Sequence, residues 1–227
     1  MSLRQFLLYL GKGGSGKSLM AMLNASQARK EDRNIAIFDA DVANPTLTRY
    51  FPGYFDAHPD HVMPGASPED VEEWLELVVF NPDEASYDVV LMDVGANIEG
   101  PILNWLGTRG ADFLPLVRVI IPIDSRDAVT AGVIIAECVP HEQVLFVVNE
   151  RGGRHAKYAL EEPVLREALK KGAKIAVFPV LGRSIVDVHR LSIPPDELEV
   201  HGNLFEKQGA RTLLRLVTEI FPEEFRP

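Results

Sequence analysis

The stretch LLYLGKGGSGKSLM, residues 7–20, joins a short apolar run to a glycine-rich loop and then to a helical pattern. Gly11 to Ser18 fits G-x-x-x-x-G-K-[ST] in the strand–loop–helix setting that this motif needs. Gly11, Gly13, Gly14 and Gly16 let backbone N–H groups, with that of Ser15, converge on phosphate oxygens without a Cβ in the way. The N-terminus of the following helix adds a favourable dipole. In such a loop Lys17 reaches the β- and γ-phosphates and the Ser18 hydroxyl binds Mg²⁺. One triphosphate needs one such lysine, so Lys12, at the front of the same loop, requires a separate explanation.

Working outward, apolar runs at 5–10, 34–38, 88–93, 117–123, 143–149 and 174–180 alternate with helical patterns at 17–30, 68–80, 101–110, 126–138 and 162–171. The runs are apolar throughout, as expected of strands buried on both faces. Strand–helix alternation then predicts a single α/β domain over residues 1–227, a mostly parallel twisted sheet with helices on both faces. Ser67-Pro68-Glu69-Asp70 reads as an N-cap, a first-turn proline and first-turn acids. The Pro- and Gly-rich residues 51–65 read as a long surface excursion, and His58 and His61 within it as solvated.

A hydrophobic fraction of 46% with 25% charged residues is that of an ordinary globular chain. The net charge of -10 disfavours bulk electrostatic binding to DNA or anionic lipid, though a local basic patch remains compatible with it. Cys138, the single cysteine, lies in an apolar run and is expected to be a buried, inert thiol in a reducing cytoplasm. The apolar run 6–10 is too short for a signal peptide or membrane span, and no later run is long enough to cross a bilayer. The expected setting is therefore cytoplasmic.

In open parallel sheets the ligand lies beyond the carboxyl ends of the strands. Asp93 closes DVVLMD, where a carboxylate can hold Mg²⁺ or its water, and Gly95 follows at a spacing that lets its N–H face a γ-phosphate. Asp39 and Asp41 end the second strand, placed to bind metal water or to position an attacking water.

These residues carry a resemblance. KGGSGKS resembles the deviant Walker A of the ParA/MinD family of P-loop ATPases, which has a lysine directly before its Gly-Gly pair. DADVANPT resembles that family's switch I, and YDVVLMDVGAN its Walker B strand and switch II. The resemblance implies a Mg²⁺- and ATP-dependent switch that dimerises face to face with ATP and docks an unidentified protein partner. It implies that Lys12 crosses the dimer to touch the partner's phosphates, while Lys17 and Ser18 serve phosphate and Mg²⁺. It gives Asp41 the orienting of water, Asp39 a metal-side place, and Asp93 and Gly95 the switch II contacts. Asn149 resembles the asparagine that reads adenine in several members, and the loop FPVLGR, with Pro179, the one packing on the base. Val94-Gly95-Ala96-Asn97 replaces the proline that many members carry after the Walker B aspartate. With the pattern of residues 39–46, it looks closer to a TraL-like branch associated with conjugal transfer.

Residues 203–221 have a helical pattern, with Leu213, Leu216, Val217 and Ile220 on one face and Lys207, Arg211 and Arg215 beside it. MinD-like members use a basic amphipathic tail as a membrane anchor. Here Gly209 is expected to interrupt the helix and the end FPEEFRP is acidic, so packing on the sheet is expected instead. Trp74 and Trp105 read as core or interface residues. The histidines show no metal-ligand spacing. The competing function is a metabolic ATP-dependent ligase or small-molecule kinase on the same scaffold, which needs no lysine acting across a dimer. A nitrogenase-reductase-like electron donor needs two cysteines per subunit, and Cys138 alone excludes it.

Overall fold

The structure, a computed structural model, describes residues 5–65, 67–79, 87–109, 114–150, 159–180 and 191–227. The apolar runs form six strands: β1 (Gln5–Tyr9), β2 (Ile35–Ala40), β3 (Val89–Val94), β4 (Val117–Ile123), β5 (Val144–Asn149) and β6 (Lys174–Phe178). They pair in the order β2-β3-β1-β4-β5-β6, every pairing parallel. The register aligns Tyr9 with Asp93 and Asp93 with Asp39, so the loop after β1 and both strand-end aspartates leave the sheet at one level.

Alternate side chains of each strand enter opposite cores. Phe6 and Leu8 join α4 (Pro68–Val79), α5 (Glu99–Arg109), α6 (Arg126–Ala136) and α7 (Pro163–Lys170) on one face. Leu7 and Tyr9 join α1 (Lys17–Lys30), α2 (Thr46–Tyr50), α3 (Pro52–Ala57), α8 (Pro195–His201) and α9 (Leu204–Ile220) on the other. The helix α1 is buried along its whole middle, Met20 to Ala28, because α8 and α9 cover the side turned from the sheet. Its buried Asn24 donates from Nδ2 to the Tyr9 hydroxyl inside the core.

Trp74 and Trp105 are buried, as expected, with their indole N–H groups donating to the Asp60 carbonyl and to Glu76. Ser67 and Asp70 cap the start of α4 reciprocally, Ser67 Oγ accepting from Asp70 N and Asp70 Oδ2 from Ser67 N. The C-terminal helix packs on α1 and the sheet through Ala210, Leu213 and Val217. No helix among the described residues is long and apolar enough to cross a membrane.

Several expectations need correction. Residues 51–65 are not a surface excursion: Phe51, Phe55, His61 and Met63 are buried, and the segment contains α3. It runs back along the free edge of β2, where Met63 N donates to the Asp39 carbonyl and Ile37 N to the Tyr54 hydroxyl. Edge-strand groups need partners, and this segment supplies them. His61 is thus not solvated; it lies against Phe38 and Tyr54, while His58 is half-buried. Cys138 is exposed, since α6 ends at Ala136 and the thiol lies on the turn that follows. Gly209 does not interrupt α9, whose seventeen residues run on from a capping box of Asn203 and Glu206. The predicted helix ends at Phe80 and Gly110, and the loops after Glu150 and Val180, lie outside the described residues.

Candidate functional site

The loop between β1 and α1 takes its shape from three glycines with positive φ: Gly11 at 123°, Gly14 at 80° and Gly16 at 115°. A side chain at Gly16 would meet a neighbour at once, because an added Cβ would stand 2.6 Å from Asn149 Nδ2. That nitrogen donates to the Ser15 carbonyl at 2.8 Å, so the end of β5 buttresses the loop. Lys17 is almost wholly buried, and its ammonium folds back onto the Gly11 carbonyl at 2.6 Å. The charge is therefore held over the loop, where phosphate oxygens can replace carbonyl acceptors.

Lys12 behaves differently. Its ammonium pairs with Asp127 Oδ2 at 3.3 Å, on the first turn of α6, with both side chains substantially exposed. An ion pair of this kind is worth at most about 1 kcal/mol. Lys12 is not among the residues lining the cavity beside its own loop.

That cavity holds about 930 Å³ and is lined by the loop, Ser18 and Asp41, and at its far end by Asn149, Phe178 and Pro179. The sheet order gives it a direction. The loops after β2 and β3 lie on one side of the phosphate loop, and the ends of β5 and β6 on the other. The structure thus brings Gly13, Gly14, Gly16, Lys17, Ser18, Asp41, Asn149 and Pro179 around one space.

Asp93 is completely buried, and among the described residues neither carboxylate oxygen has a partner at ordinary hydrogen-bond geometry, the Ser18 hydroxyl lying beside it. Burial raises its pKa to about 7; the Ser18 hydroxyl and Lys17 pull it down, while Asp39 and Asp41 push it up. A buried carboxylate beside a serine hydroxyl fits a site for Mg²⁺, which takes one or two protein oxygens and fills its octahedron with phosphate and water. Among the described residues there is no group of three or more His, Cys, Asp or Glu that could hold a metal ion.

Asp39 and Gly95 are occupied otherwise. Asp39 Oδ2 accepts from Thr48 N at 2.8 Å and Thr48 Oγ1 at 2.9 Å, holding the first turn of α2. Burial raises its pKa. The Gly95 N–H donates to the Ala40 carbonyl at 3.3 Å, and an added Cβ at Gly95 would touch Asp41, so the two strand-end loops are in contact. Asp41 Oδ1 accepts from Asn44 N at 3.1 Å.

Sequence reasoning missed Glu99. This first-turn residue of α5 accepts a hydrogen bond from Gly11 N, tying the loop after β3 to the phosphate loop. Burial raises its pKa, opposed by that bond and by Lys17. Its position six residues beyond Asp93, in the strand-end cluster, is the signal that could have found it. Asn44, Thr46 and Arg49 also line the cavity and were not anticipated.

The sequence matches no protein-family profile and no curated protein. The structure does resemble solved ones. An AMPPNP-bound protein of Borrelia burgdorferi assigned to plasmid partition aligns over 95% of this chain and 99% of its own, at TM-score 0.58 and 13% identity. The MinD cell division protein of Aquifex aeolicus aligns over 96% of this chain and 98% of its own, at TM-score 0.54 and 17% identity. A nucleotide-binding protein of Archaeoglobus fulgidus, in complex with ADP, aligns over 84% and 86% at TM-score 0.52 and 17% identity. At these identities the likeness establishes the fold alone, a parallel α/β sheet shared with these three proteins.

Proposed function

We propose that this chain is a Mg²⁺- and ATP-dependent ATPase switch, in which ATP binding closes two copies face to face and slow hydrolysis releases them. The observation that carries the reading is the cavity itself, where the phosphate-loop Lys17 and the Ser18 hydroxyl line one space, with the buried Asp93 carboxylate beside Ser18. AMPPNP and ADP in two proteins of the same fold support a nucleotide as the occupant.

The roles follow from chemistry. Lys17 would exchange its carbonyl partners for the β- and γ-phosphates, and loop N–H groups would cradle the same oxygens. Ser18 and Asp93 would hold Mg²⁺, with Asp39 fixing the loop beside them. When bound, that ion would neutralise charge on the β- and γ-phosphates. Asp41 would orient the attacking water, and the Gly95 N–H would leave Ala40 to meet the γ-phosphate. Asn149 and Pro179 would border the base. Catalysis of phosphoryl transfer is mainly positioning and charge stabilisation, and a cation supplied by a second chain contributes about 10³–10⁵ in rate elsewhere. Lys12, exposed and outside its own cavity, is available for that part in the other copy.

A protein partner is the natural reader of such a switch, and one neighbour in fold is MinD in a complex with MinC. The process served, whether plasmid partition, conjugal transfer or cargo positioning, belongs to that partner. ATP titration and phosphate release test the site: Lys17→Ala should lower ATP affinity more than about tenfold, since it removes a hydrogen-bonded charge. Phosphate release that depends on an added metabolite would instead favour a ligase or kinase.

A further inference from the structure

We propose that Arg49 is a further phosphate-binding cation, supplied from within the same chain by α2 and directed at the terminal phosphate of the bound nucleotide. The inference rests on the reading of the cavity as an ATP site.

Three observations point to it. First, Arg49 lines the same cavity as Lys17 and Ser18. Second, its guanidinium is held in place by neutral groups only: Nη2 donates to Asn44 Oδ1 at 3.1 Å and to Thr46 Oγ1 at 3.2 Å. Among the described residues its charge meets no carboxylate. Arg29, Lys30 and Arg211, on the neighbouring helices, are all ion-paired. A guanidinium has five N–H donors, and the bonds made here use one nitrogen, which leaves Nε and Nη1 for an anion.

Third, the backbone beneath Arg49 is fixed. Leu47 and Tyr50 are buried on either side of it, and Asp39 caps the first turn of α2 through Thr48. The guanidinium is thus carried by an anchored turn rather than a loose loop.

The direction comes from the sheet order. The proposed function puts the base beyond β5 and β6, at Asn149 and Pro179; Arg49 follows β2, on the opposite side of the phosphate loop. A nucleotide lying across the sheet ends turns its last phosphate toward β3 and β2. Arg49 would therefore distinguish a triphosphate from a diphosphate. Its two acceptors, Asn44 and Thr46, belong to the loop carrying Asp41, so the contact would also draw that loop onto the nucleotide.

The test is calorimetric titration of the whole chain and of Arg49→Gln with AMPPNP and with ADP, in Mg²⁺. The proposal expects AMPPNP affinity to fall about tenfold or more, as for loss of a charge-assisted hydrogen bond, with ADP affinity within about twofold. Retained ADP binding would also show that the variant is folded. An unchanged AMPPNP affinity, or an equal loss for both nucleotides, would overturn the role of Arg49 while leaving the ATP site standing. Failure of the unaltered chain to bind either nucleotide would overturn the underlying reading, and this inference with it.

Discussion

At Gly16 two constraints coincide: a φ of 115°, which L side chains avoid, and the Asn149 amide only 2.6 Å from where a Cβ would be. Replacement by alanine must strain the backbone, at about 1–3 kcal/mol, or push Asn149 off the Ser15 carbonyl. Gly16→Ala should therefore lower the thermal midpoint and weaken nucleotide binding together, measured by melting and by titration with ATP. A variant that melts and binds like the unaltered chain would contradict the buttress. The loop's glycines and both lysines were legible in the sequence because the motif is local. The buttress was not, since Asn149 lies 134 residues from Ser15 and only the β1-β4-β5 order brings them together. The different fates of Lys12 and Lys17 were also hidden: which lysine folds onto its own loop depends on the carbonyls it meets in three dimensions.

Among the elements, the segment after α2 departs furthest from its sequence reading. Residues 51–65 are rich in proline and glycine, which suggested a surface excursion, yet they seal the β2 edge. Their aromatic side chains are spaced irregularly, so no helical or strand period announces them. His61 gives this element a measurable signature. Burial pushes its pKa down to about 4, outweighing the opposing charge of Asp60. Above the ordinary histidine value of about 6.5 the ring is neutral in folded and unfolded chains alike. As pH falls from about 6.5 to about 4 only the unfolded chain takes up the proton, so stability is lost across that window, on the order of 3 kcal/mol. Urea unfolding at several pH values should reveal this slope in the unaltered chain and its reduction in His61→Gln; equal slopes would contradict the burial of a neutral His61. The helix α1 was read correctly in position although it lacks a polar face. It needs none, because α8 and α9 cover its outer side.

For the whole molecule, strand and helix order specified the architecture: apolar runs gave a parallel sheet, and the phosphate loop after its first strand fixed where the site must lie. What the order alone left open is how far the cavity extends and which charges face it, and those depend on loops after β2 and β3 that touch one another at Asp41 and Gly95. In the proposed switch Lys12 acts on the nucleotide of a second copy. Among the described residues its ammonium is bound to exposed Asp127, a weak contact that dimerisation can displace. Light scattering after size exclusion, with Mg²⁺ and AMPPNP or ADP, measures this directly. The unaltered chain should double its mass with AMPPNP and stay monomeric with ADP, while Lys12→Ala should bind AMPPNP yet remain at the mass of one chain. A Lys12→Ala variant that dimerises with AMPPNP as the unaltered chain does would contradict the claim.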